Sequence, residues 1–313
     1  MVNAKEWIVD EIEKSGRKIN GHMEQIKTSD FCHIQKVPTS DGDLYFKATN
    51  AAASHEGALS AYLGRRYPGK TVNVMARDHS KGWFLMEDIG GEALRNIKDK
   101  QLWKRALQEY AELQVSELNH VEELLGIGVP DRRMSVLKEE IKQHLADMCK
   151  TGLSKAETEK VIELLPELVE MCDALDAILP ASIEHGDLHT NNIRLVKDRI
   201  VFFDWGDASV SHPFFSTRIF WHALDDLIAD ESMWLGIVND FRPYYLEPWT
   251  IYASMRELEK ALQISDQLAC VQRALSWHVY LTPSREHKAE SYNRPSQWLQ
   301  LLLEHRNLVG KHG

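Results

Sequence analysis

The most constraining feature of this 313-residue chain is a polar run that leads into an apolar hairpin. The run reads His185-Gly186-Asp187-Leu188-His189-Thr190-Asn191-Asn192, and the apolar stretch that follows ends at Asp204. Residues 194–203 predict two short strands around a Lys-Asp turn. Because such a hairpin reverses the chain, it would bring Asn192 and Asp204 together, twelve positions apart (204 − 192). Any fold of this chain must therefore hold a carboxylate, an amide and a second carboxylate in this order.

This order of side chains suits phosphoryl transfer, which depends on positioning and on stabilising negative charge. Asp187 would accept or orient the proton of a substrate hydroxyl. Asn192 and Asp204 would hold Mg²⁺, a hard cation that prefers oxygen ligands. A His-Gly-Asp tripeptide alone is also a common turn. The addition of Asn192 and of the apolar strand before Asp204 favours the catalytic interpretation.

The segments 183–189 and 203–207, together with Asn192, resemble the aminoglycoside phosphotransferase and choline kinase group. The resemblance implies a protein-kinase-like fold with two lobes. It also implies ATP or GTP as the phosphoryl donor, Mg²⁺ as the metal and a small-molecule hydroxyl compound as the acceptor. Acceptors in that group often carry amino groups, as aminoglycosides and choline do.

A lysine in the N-terminal part would complete a nucleotide site. Leu44-Tyr45-Phe46-Lys47-Ala48 alternates like a strand, and residues 51–66 predict a helix that carries Glu56. A lysine on a strand and a glutamate on the next helix is the kinase arrangement that orients the lysine. The resemblance implies that Lys47 contacts the nucleotide phosphates with Glu56 behind it. Solvent-exposed positions for both side chains are the alternative.

Two further segments would contact the nucleotide. Residues 28–31 are expected to form the loop over the phosphates, with Ser29 and backbone N–H groups as contacts, although the loop has no glycine. Residues 87–91 read as the connection between the lobes. The resemblance implies that backbone groups there, at Glu87 and Ile89, bind the adenine edge.

The remaining sequence predicts helices. Apolar residues recur at helical spacing over residues 102–118, 137–149 and 157–178, and Pro166 should kink or divide the last of these. Later helices are predicted at 255–264 and 266–281. The fold class is therefore α+β: a protein-kinase-like fold with a small antiparallel-sheet N-lobe over residues 1–88 and a mostly helical C-lobe over residues 89–313.

The helical part carries Asp187 and is expected to form the acceptor pocket. Its candidate acidic residues for an amino-bearing acceptor are Asp207, Asp225 and Asp226. Aromatic residues such as Trp298 either belong to the core or form a face for a cation. Asp207 would equally serve as a cap of the following turn. The sequence does not choose between these alternatives.

Composition excludes several partner classes. A net charge of −10 argues against nucleic acid as the main partner, since a phosphate backbone selects basic surfaces. The apolar runs are far shorter than a membrane span, so no membrane partner is expected. The first residues predict the start of a helix and no signal peptide. Four cysteines without metal-ligand spacing favour the reducing cytoplasm.

The sequence thus predicts a small-molecule kinase that moves the γ-phosphate of ATP or GTP to a hydroxyl. A protein kinase is one alternative; the glycine-free loop and the Asp204-Trp205 pair in place of Asp-Phe-Gly argue against it. A pseudokinase-like protein that binds nucleotide without turnover is another alternative. The presence of Lys47, Asp187, Asn192 and Asp204 together argues against it. The identity of the acceptor, the choice between ATP and GTP and the oligomeric state stay open.

Overall fold

The computed structural model describes residues 2–228 and 233–312, without the side chains of residues 2, 3, 225, 226 and 307–312. Contacts divide the chain into two compact units. Unit 1 comprises Met1–Ala93 and Asn192–Asp207, and unit 2 comprises Leu94–Asn191 and Ala208–Gly313. The predicted division into residues 1–88 and 89–313 stays a prediction. The units differ from it because the segment with Asn192 and Asp204 joins the N-terminal residues.

Helices and strands both contribute, as the α+β prediction requires. The helices are α1 Val2–Lys14, α2 Glu56–Arg66, α3 Lys100–Glu117, α4 Val121–Gly126, α5 Met134–Cys149, α6 Lys155–Glu163, α7 Leu165–Asp176, α8 Phe215–His222, α9 Trp234–Leu246, α10 Met255–Leu275 and α11 Arg294–His312. The strands are β1 Glu24–Thr28, β2 Cys32–Thr39, β3 Gly42–Thr49, β4 Val74–Asp78, β5 Trp83–Glu87, β6 Glu92–Ala93, β7 Ser182–Glu184, β8 Ile193–Val196, β9 Arg199–Phe202 and β10 Ser209–Ser211.

Unit 1 is built on a five-stranded antiparallel sheet in the order β1-β2-β3-β5-β4. Helix α1 covers one face, because Ile8 and Ile12 lie one turn apart and both are fully buried. They pack in one core with Leu44 and Phe46 of β3. Side chains alternate along a strand, so Lys47 lies on the opposite face of β3. Helix α2 is buried from Glu56 to Leu63.

The hairpin predicted between Asn192 and Asp204 is present as β8 and β9. Val196 pairs with Arg199 across a two-residue turn whose first residue, Lys197, has a φ of 58°. The strand β6 pairs with β8 to complete a three-stranded sheet. The amide of Phe203 donates to the carbonyl of Asn192 at 3.1 Å, which closes the open end of the hairpin.

Unit 2 is mainly helical, with α10 packed against α5, α7, α8 and α11. Pro166 lies in the first turn of α7, where its missing N–H removes no helical hydrogen bond. Of the kink and the division predicted there, the structure has the division, into α6 and α7. The predicted break between residues 264 and 266 is wrong, since α10 continues from Met255 to Leu275 with Ser265 buried inside it. Among the helices described, none is both long and apolar enough to cross a membrane.

The strands β7 and β10 form a two-stranded antiparallel sheet that the sequence did not predict. Each has three residues, too few to show an alternating pattern, and all six are buried. Strand β7 runs directly into His185-Gly186-Asp187. This short sheet therefore fixes the approach of the chain to the predicted catalytic loop.

Gly64 of α2 leaves no room for a side chain, because a Cβ there would lie 2.5 Å from the Val72 carbonyl oxygen. We expect Gly64→Ala to lower the free energy of unfolding by about 2 kcal/mol, since a backbone atom has to move. Urea denaturation measures the change. The control is Gly126→Ala in α4, where a Cβ meets nothing within 4 Å and where stability should stay equal or rise slightly. Equal unfolding free energies for the two variants would contradict the packing argument.

Candidate active site

The centre of unit 1 is a buried lysine between two carboxylates. The Nζ atom of Lys47 lies 2.7 Å from Oε1 of Glu56 and 2.6 Å from Oδ1 of Asp204. Lys47 is 5% exposed and Glu56 is 2% exposed, whereas the Asp204 side chain is 39% exposed. The structure thus brings together three residues that the sequence predicted for one site. They come from β3, α2 and the segment after β9.

Electrostatics hold the Lys47 side chain as a charged group. Burial disfavours the ammonium, but the carboxylates of Glu56 and Asp204 outweigh it, so the pKa of Lys47 lies above its usual value. Burial also raises the pKa of Glu56, and the charge of Lys47 opposes this shift. Removing one partner from a buried ion pair typically costs about 3–5 kcal/mol. Lys47 is therefore a cation whose position is fixed from two sides.

The backbone at Asp204 is in a conformation that most residues avoid. Its φ of 64° lies in the left-handed region, at a cost on the order of 1–2 kcal/mol for a residue with a side chain. Two residues later the chain passes close to α2, because a Cβ on Gly206 would lie 3.2 Å from Oε2 of Glu56. Strain of this kind is concentrated at functional sites.

Asn192 and Asp204 supply an amide oxygen and a carboxylate oxygen at the same end of the β8–β9 hairpin. Asn192 is 8% exposed, and its own carbonyl accepts the closing hydrogen bond from Phe203. Amide and carboxylate oxygens are the donors that Mg²⁺ prefers, and a partly exposed carboxylate leaves a route for the ion. The donor set therefore fits the predicted magnesium site.

The side chains of Ser29 and Glu87, two further predicted nucleotide contacts, make hydrogen bonds or ion pairs within unit 1. Oγ of Ser29 accepts from the amides of Phe31 and Cys32, both at 3.3 Å, and so holds the turn between β1 and β2. The Glu87 carboxylate is 2.8 Å from Arg17. Hydrogen bonds from Asn73 and Arg17 lower the pKa of Glu87.

In the connection that begins at the end of β5, two successive backbone amides are already hydrogen-bonded within unit 1. The amide of Glu87 donates to the Asn73 carbonyl at 3.0 Å, and the amide of Asp88 donates to the Asp43 carbonyl at 3.1 Å. Ile89 follows, and then Gly90 with a φ of 60°. The predicted contact of the adenine edge with the backbone at Glu87 and Ile89 stays a prediction.

In unit 2, a buried glutamate that sequence reasoning missed supports the Asp187 loop. Glu184 is 2% exposed, and burial raises its pKa. Its Oε1 accepts from the amide of Gly186 at 2.7 Å and from Oγ of Ser216 at 3.3 Å. Its Oε2 accepts from Oγ of Ser209 at 3.2 Å. The sequence signal for this role was an acid at the end of the mainly apolar residues 178–183.

A hydroxyl pair holds the next residue of the loop. The amide of His185 donates to the Tyr110 hydroxyl and to Oγ of Ser216, both at 3.1 Å, and these two hydroxyls are 2.7 Å apart. The amide of Asp187 donates to Nδ1 of His185 at 3.3 Å. The backbone that presents Asp187 is therefore fixed from β7, β10, α3 and α8.

A cavity of about 430 Å³ in unit 2 is lined by Asp187 together with charged and aromatic side chains of α10, α11 and the turn after α10. Glu304 is an acidic residue of this lining that the sequence did not single out. Of the predicted acceptor acids, Asp207 lies in unit 1, where its charge raises the pKa of Glu56. The side chains of Asp225 and Asp226 lie outside the described residues, so the roles of all three stay predictions.

The sequence matches the family model of the phosphotransferase enzyme family, APH, over residues 44–258. This range is more than half of the chain, and it contains Lys47, Glu56, Asp187, Asn192 and Asp204. Among curated proteins, none matches the chain.

Solved structures of phosphotransferases and kinases share the fold. "Macrolide 2'-phosphotransferase type I" has a TM-score of 0.64 at 12% identity, covering 94% of this chain and 97% of that one. The choline kinase from Cryptosporidium parvum Iowa II has a TM-score of 0.61 at 15% identity, covering 99% and 97%. The Plasmodium vivax ethanolamine kinase has a TM-score of 0.64 at 16% identity, covering 94% and 84%. These neighbours confirm the predicted kinase-like fold.

The Tyr110 hydroxyl gives a stability prediction. Tyr110→Phe removes an acceptor from the buried amide of His185 and a partner from Ser216, and we expect it to lower the free energy of unfolding by about 1–2 kcal/mol. Urea denaturation measures this change. Tyr292 is 58% exposed, so Tyr292→Phe is the control, with a change within about 0.5 kcal/mol. An unchanged free energy of unfolding in Tyr110→Phe would show that the hydroxyl pair does not hold the loop.

Proposed function

The chain belongs to the APH phosphotransferase enzyme family, and from this premise we propose that it moves the γ-phosphate of ATP or GTP to a hydroxyl of a small molecule. The observation that carries the proposal is Lys47, buried between Glu56 and Asp204 at 2.7 and 2.6 Å. A cation fixed in this way is the group that a triphosphate requires, because its place is determined before the ligand binds. The match to the family model covers the same residues.

On the donor side, each residue has a separate task. The Lys47 ammonium binds phosphate oxygens, and Glu56 keeps it in place. Asn192 and Asp204 would hold Mg²⁺, which when bound neutralises charge on the phosphates. The backbone at Glu87 and Ile89 would bind the purine edge, and the turn at Ser29 would cover the phosphates.

On the acceptor side, Asp187 orients the substrate hydroxyl and takes its proton as the new oxygen–phosphorus bond forms. The nucleoside diphosphate then leaves with the electrons of the broken bond. The hydrogen bonds that Glu184 and Tyr110 accept from the amides of Gly186 and His185 keep Asp187 in position. From the sequence we also propose that Asp207, Asp225 and Asp226 attract an amino group on the acceptor.

The proposed donor places the protein in the cytoplasm, where nucleoside triphosphates are present. Its four cysteines are free thiols, which fits a reducing compartment. Neither nucleic acid nor a membrane has a part in the proposed reaction.

Removing the proposed base should separate catalysis from nucleotide binding. We expect Asp187→Ala to lower kcat by about 10²–10⁴-fold, the usual contribution of a positioned base, with unchanged affinity for the Mg-nucleotide. A coupled assay of diphosphate release gives kcat, and calorimetry gives the affinity. If kcat is retained, Asp187 is not the base.

Removing the proposed metal ligand should change nucleotide affinity, which the Asp187 variant leaves unchanged. Asp204→Ala should weaken Mg²⁺-dependent nucleotide binding, because it deletes one of two oxygen ligands. Calorimetry with and without Mg²⁺ measures this. The exposed Asp10 on α1 offers the control Asp10→Ala, which removes the same charge far from the hairpin in sequence. An unchanged Mg²⁺ dependence in the Asp204 variant rejects the assignment.

Replacing Lys47 should weaken binding of the nucleotide phosphates and leave binding of the adenosine part largely unchanged. Lys47→Ala removes a charge that acts on phosphate oxygens, so affinity for the triphosphate should fall about 10–100-fold and affinity for adenosine should change little. The exposed Lys160 on α6 gives the control Lys160→Ala. Titrations of both ligands, with a thermal melt of each variant, are the measurement. Equal losses for the two ligands would mean that Lys47 serves folding alone.

One assay separates the three candidate functions. Diphosphate release is followed with MgATP and MgGTP over a panel of hydroxyl compounds that includes amino-bearing, neutral and acidic members. Release that depends on a small acceptor supports the proposal and identifies the donor. Nucleotide binding without release at any acceptor would favour a pseudokinase, and transfer to protein substrates alone would favour a protein kinase.

A further inference from the structure

A buried amide side chain on α3, that of Gln114, connects two segments that flank the Asp187 loop. Gln114 is 0% exposed. Its Nε2 atom donates to the carbonyl oxygen of Ile183 at 2.8 Å and to that of Pro213 at 2.9 Å. Ile183 lies on β7, which runs into the Asp187 loop, and Pro213 lies between β10 and α8. One side chain thus fixes the strand before the loop to the turn before α8.

The orientation of the Gln114 amide follows from its partners. Both carbonyl oxygens accept and cannot donate, so the two N–H groups of Nε2 have to face them. The Oε1 atom of Gln114 then accepts from the Tyr245 hydroxyl at 2.7 Å. Burial raises the pKa of Tyr245 well above its ordinary value, so this hydroxyl stays a donor. The donors and the acceptor of the amide are therefore all in use.

The Ile183 carbonyl points away from the sheet to which β7 belongs. Ile183 is paired with Val210 of β10, but the Val210 amide donates to Pro130 at 2.9 Å and its carbonyl accepts from the Arg132 amide at 2.8 Å. Ile183 and Val210 are thus a pair that exchanges no hydrogen bonds, as alternate pairs in antiparallel sheets do. A buried carbonyl needs a donor, and Gln114 supplies one from the side of α3.

Helix α3 holds the whole approach to the loop. Tyr110, whose hydroxyl accepts from the His185 amide, lies one turn before Gln114 on the same face of α3. The Ser182 hydroxyl donates to the backbone carbonyl of Gln114 at 2.6 Å. Ser182, Ile183 and His185 are thus each bonded to α3. Displacing β7 from α3 would displace the loop that follows it.

We propose that Gln114 is a positioning residue for phosphoryl transfer, which acts through β7 to keep the Asp187 carboxylate at the acceptor hydroxyl. This role rests on the proposed function. Misplacing a reacting group by about 1 Å can lower a rate about 100-fold, so a bond remote from the chemistry matters. Lys47 and Asp204 belong to unit 1, and we expect nucleotide binding to be independent of Gln114.

The first test is amide hydrogen exchange over residues 182–192 in the nucleotide-free protein, followed by mass spectrometry. Gln114→Met keeps an unbranched side chain and removes both N–H donors. Exchange in the loop should become about tenfold faster. The control is Gln108→Met on the same helix, where the Gln108 amide makes an exposed 3.3 Å hydrogen bond to Glu247 and where loop exchange should not change. Unchanged loop exchange in Gln114→Met overturns the proposal.

The second test is steady-state kinetics, which separates positioning from folding. The assay is diphosphate release with MgATP and MgGTP and with choline, ethanolamine, glycerol and sorbitol as acceptors. In Gln114→Met, kcat and kcat/KM should fall together by about 10–100-fold, because alignment of the base is lost and acceptor binding is kept. Affinity for the Mg-nucleotide should stay that of the wild type, and Gln108→Met should keep the wild-type kcat.

Tyr245→Phe is the milder variant for the case that Gln114→Met does not fold. It removes one hydroxyl donor from Gln114 and keeps the ring, so kcat should fall in the same direction by a smaller factor. A folded Gln114→Met or Tyr245→Phe with a lower free energy of unfolding and wild-type kcat would overturn the proposal. Gln114 would then serve stability alone.

The two claims fail in different ways. Absence of acceptor-dependent diphosphate release in the wild-type protein, with faster loop exchange in Gln114→Met, would count against phosphoryl transfer and leave the hold of Gln114 on the loop standing. Transfer at equal kcat in the wild type and the variants would refute the positioning role and leave phosphoryl transfer standing.

Discussion

The ion pairs of Lys47 are the constraint on which the rest of unit 1 depends. They join β3, α2 and the end of the β8–β9 hairpin, although Lys47 and Asp204 are 157 positions apart. A buried ammonium without its carboxylates would cost several kcal/mol, so the three elements have to be placed together. The left-handed backbone of Asp204 and the close approach of Gly206 to Glu56 follow from the same requirement. The fold of unit 1 thus tolerates a strained backbone at Asp204 in order to keep the buried ammonium of Lys47 paired with two carboxylates.

Unit 2 supplies a loop with a fixed shape. Asp187 follows a three-residue strand, and its loop is bonded to Glu184, Tyr110 and Ser216 through backbone amides. These backbone hydrogen bonds fix the loop that carries Asp187, the proposed base. Lys47, which we propose binds phosphate, is held by Glu56 and Asp204. The loop of the proposed base is held by Glu184, Tyr110 and Ser216, so we expect variants of one set to leave the other intact.

The sequence predicted what short-range patterns encode. Alternation around Lys47 predicted β3, and the Lys-Asp turn predicted the hairpin that closes between Asn192 and Phe203. The pairing of Lys47 with Glu56 came from a known arrangement, which the structure reproduces. The first turn of the predicted helix at 51–66 is instead a 3₁₀ turn, Ala51–Ala53, because the Asn50 side chain accepts from the amide of Ala52.

Contacts between distant segments escaped prediction. Glu184 has its partners on β10 and α8, and no local pattern relates it to Ser209 or Ser216. The contact of Arg273 on α10 with Trp298 on α11 likewise depends on how two helices pack, and that of Arg294 with Trp277 on how the turn after α10 meets α11. The false break near Ser265 has the same origin, since burial keeps a polar residue inside a continuous helix.

Phosphorus NMR of the intact protein with MgATP or MgGTP and a small hydroxyl acceptor tests the central claim most directly, because it shows where the γ-phosphate goes. The account predicts a phosphate monoester of the acceptor, formed in step with the nucleoside diphosphate and absent with Asp187→Ala. Inorganic phosphate as the sole product, or bound nucleotide that stays intact with every acceptor, would contradict it.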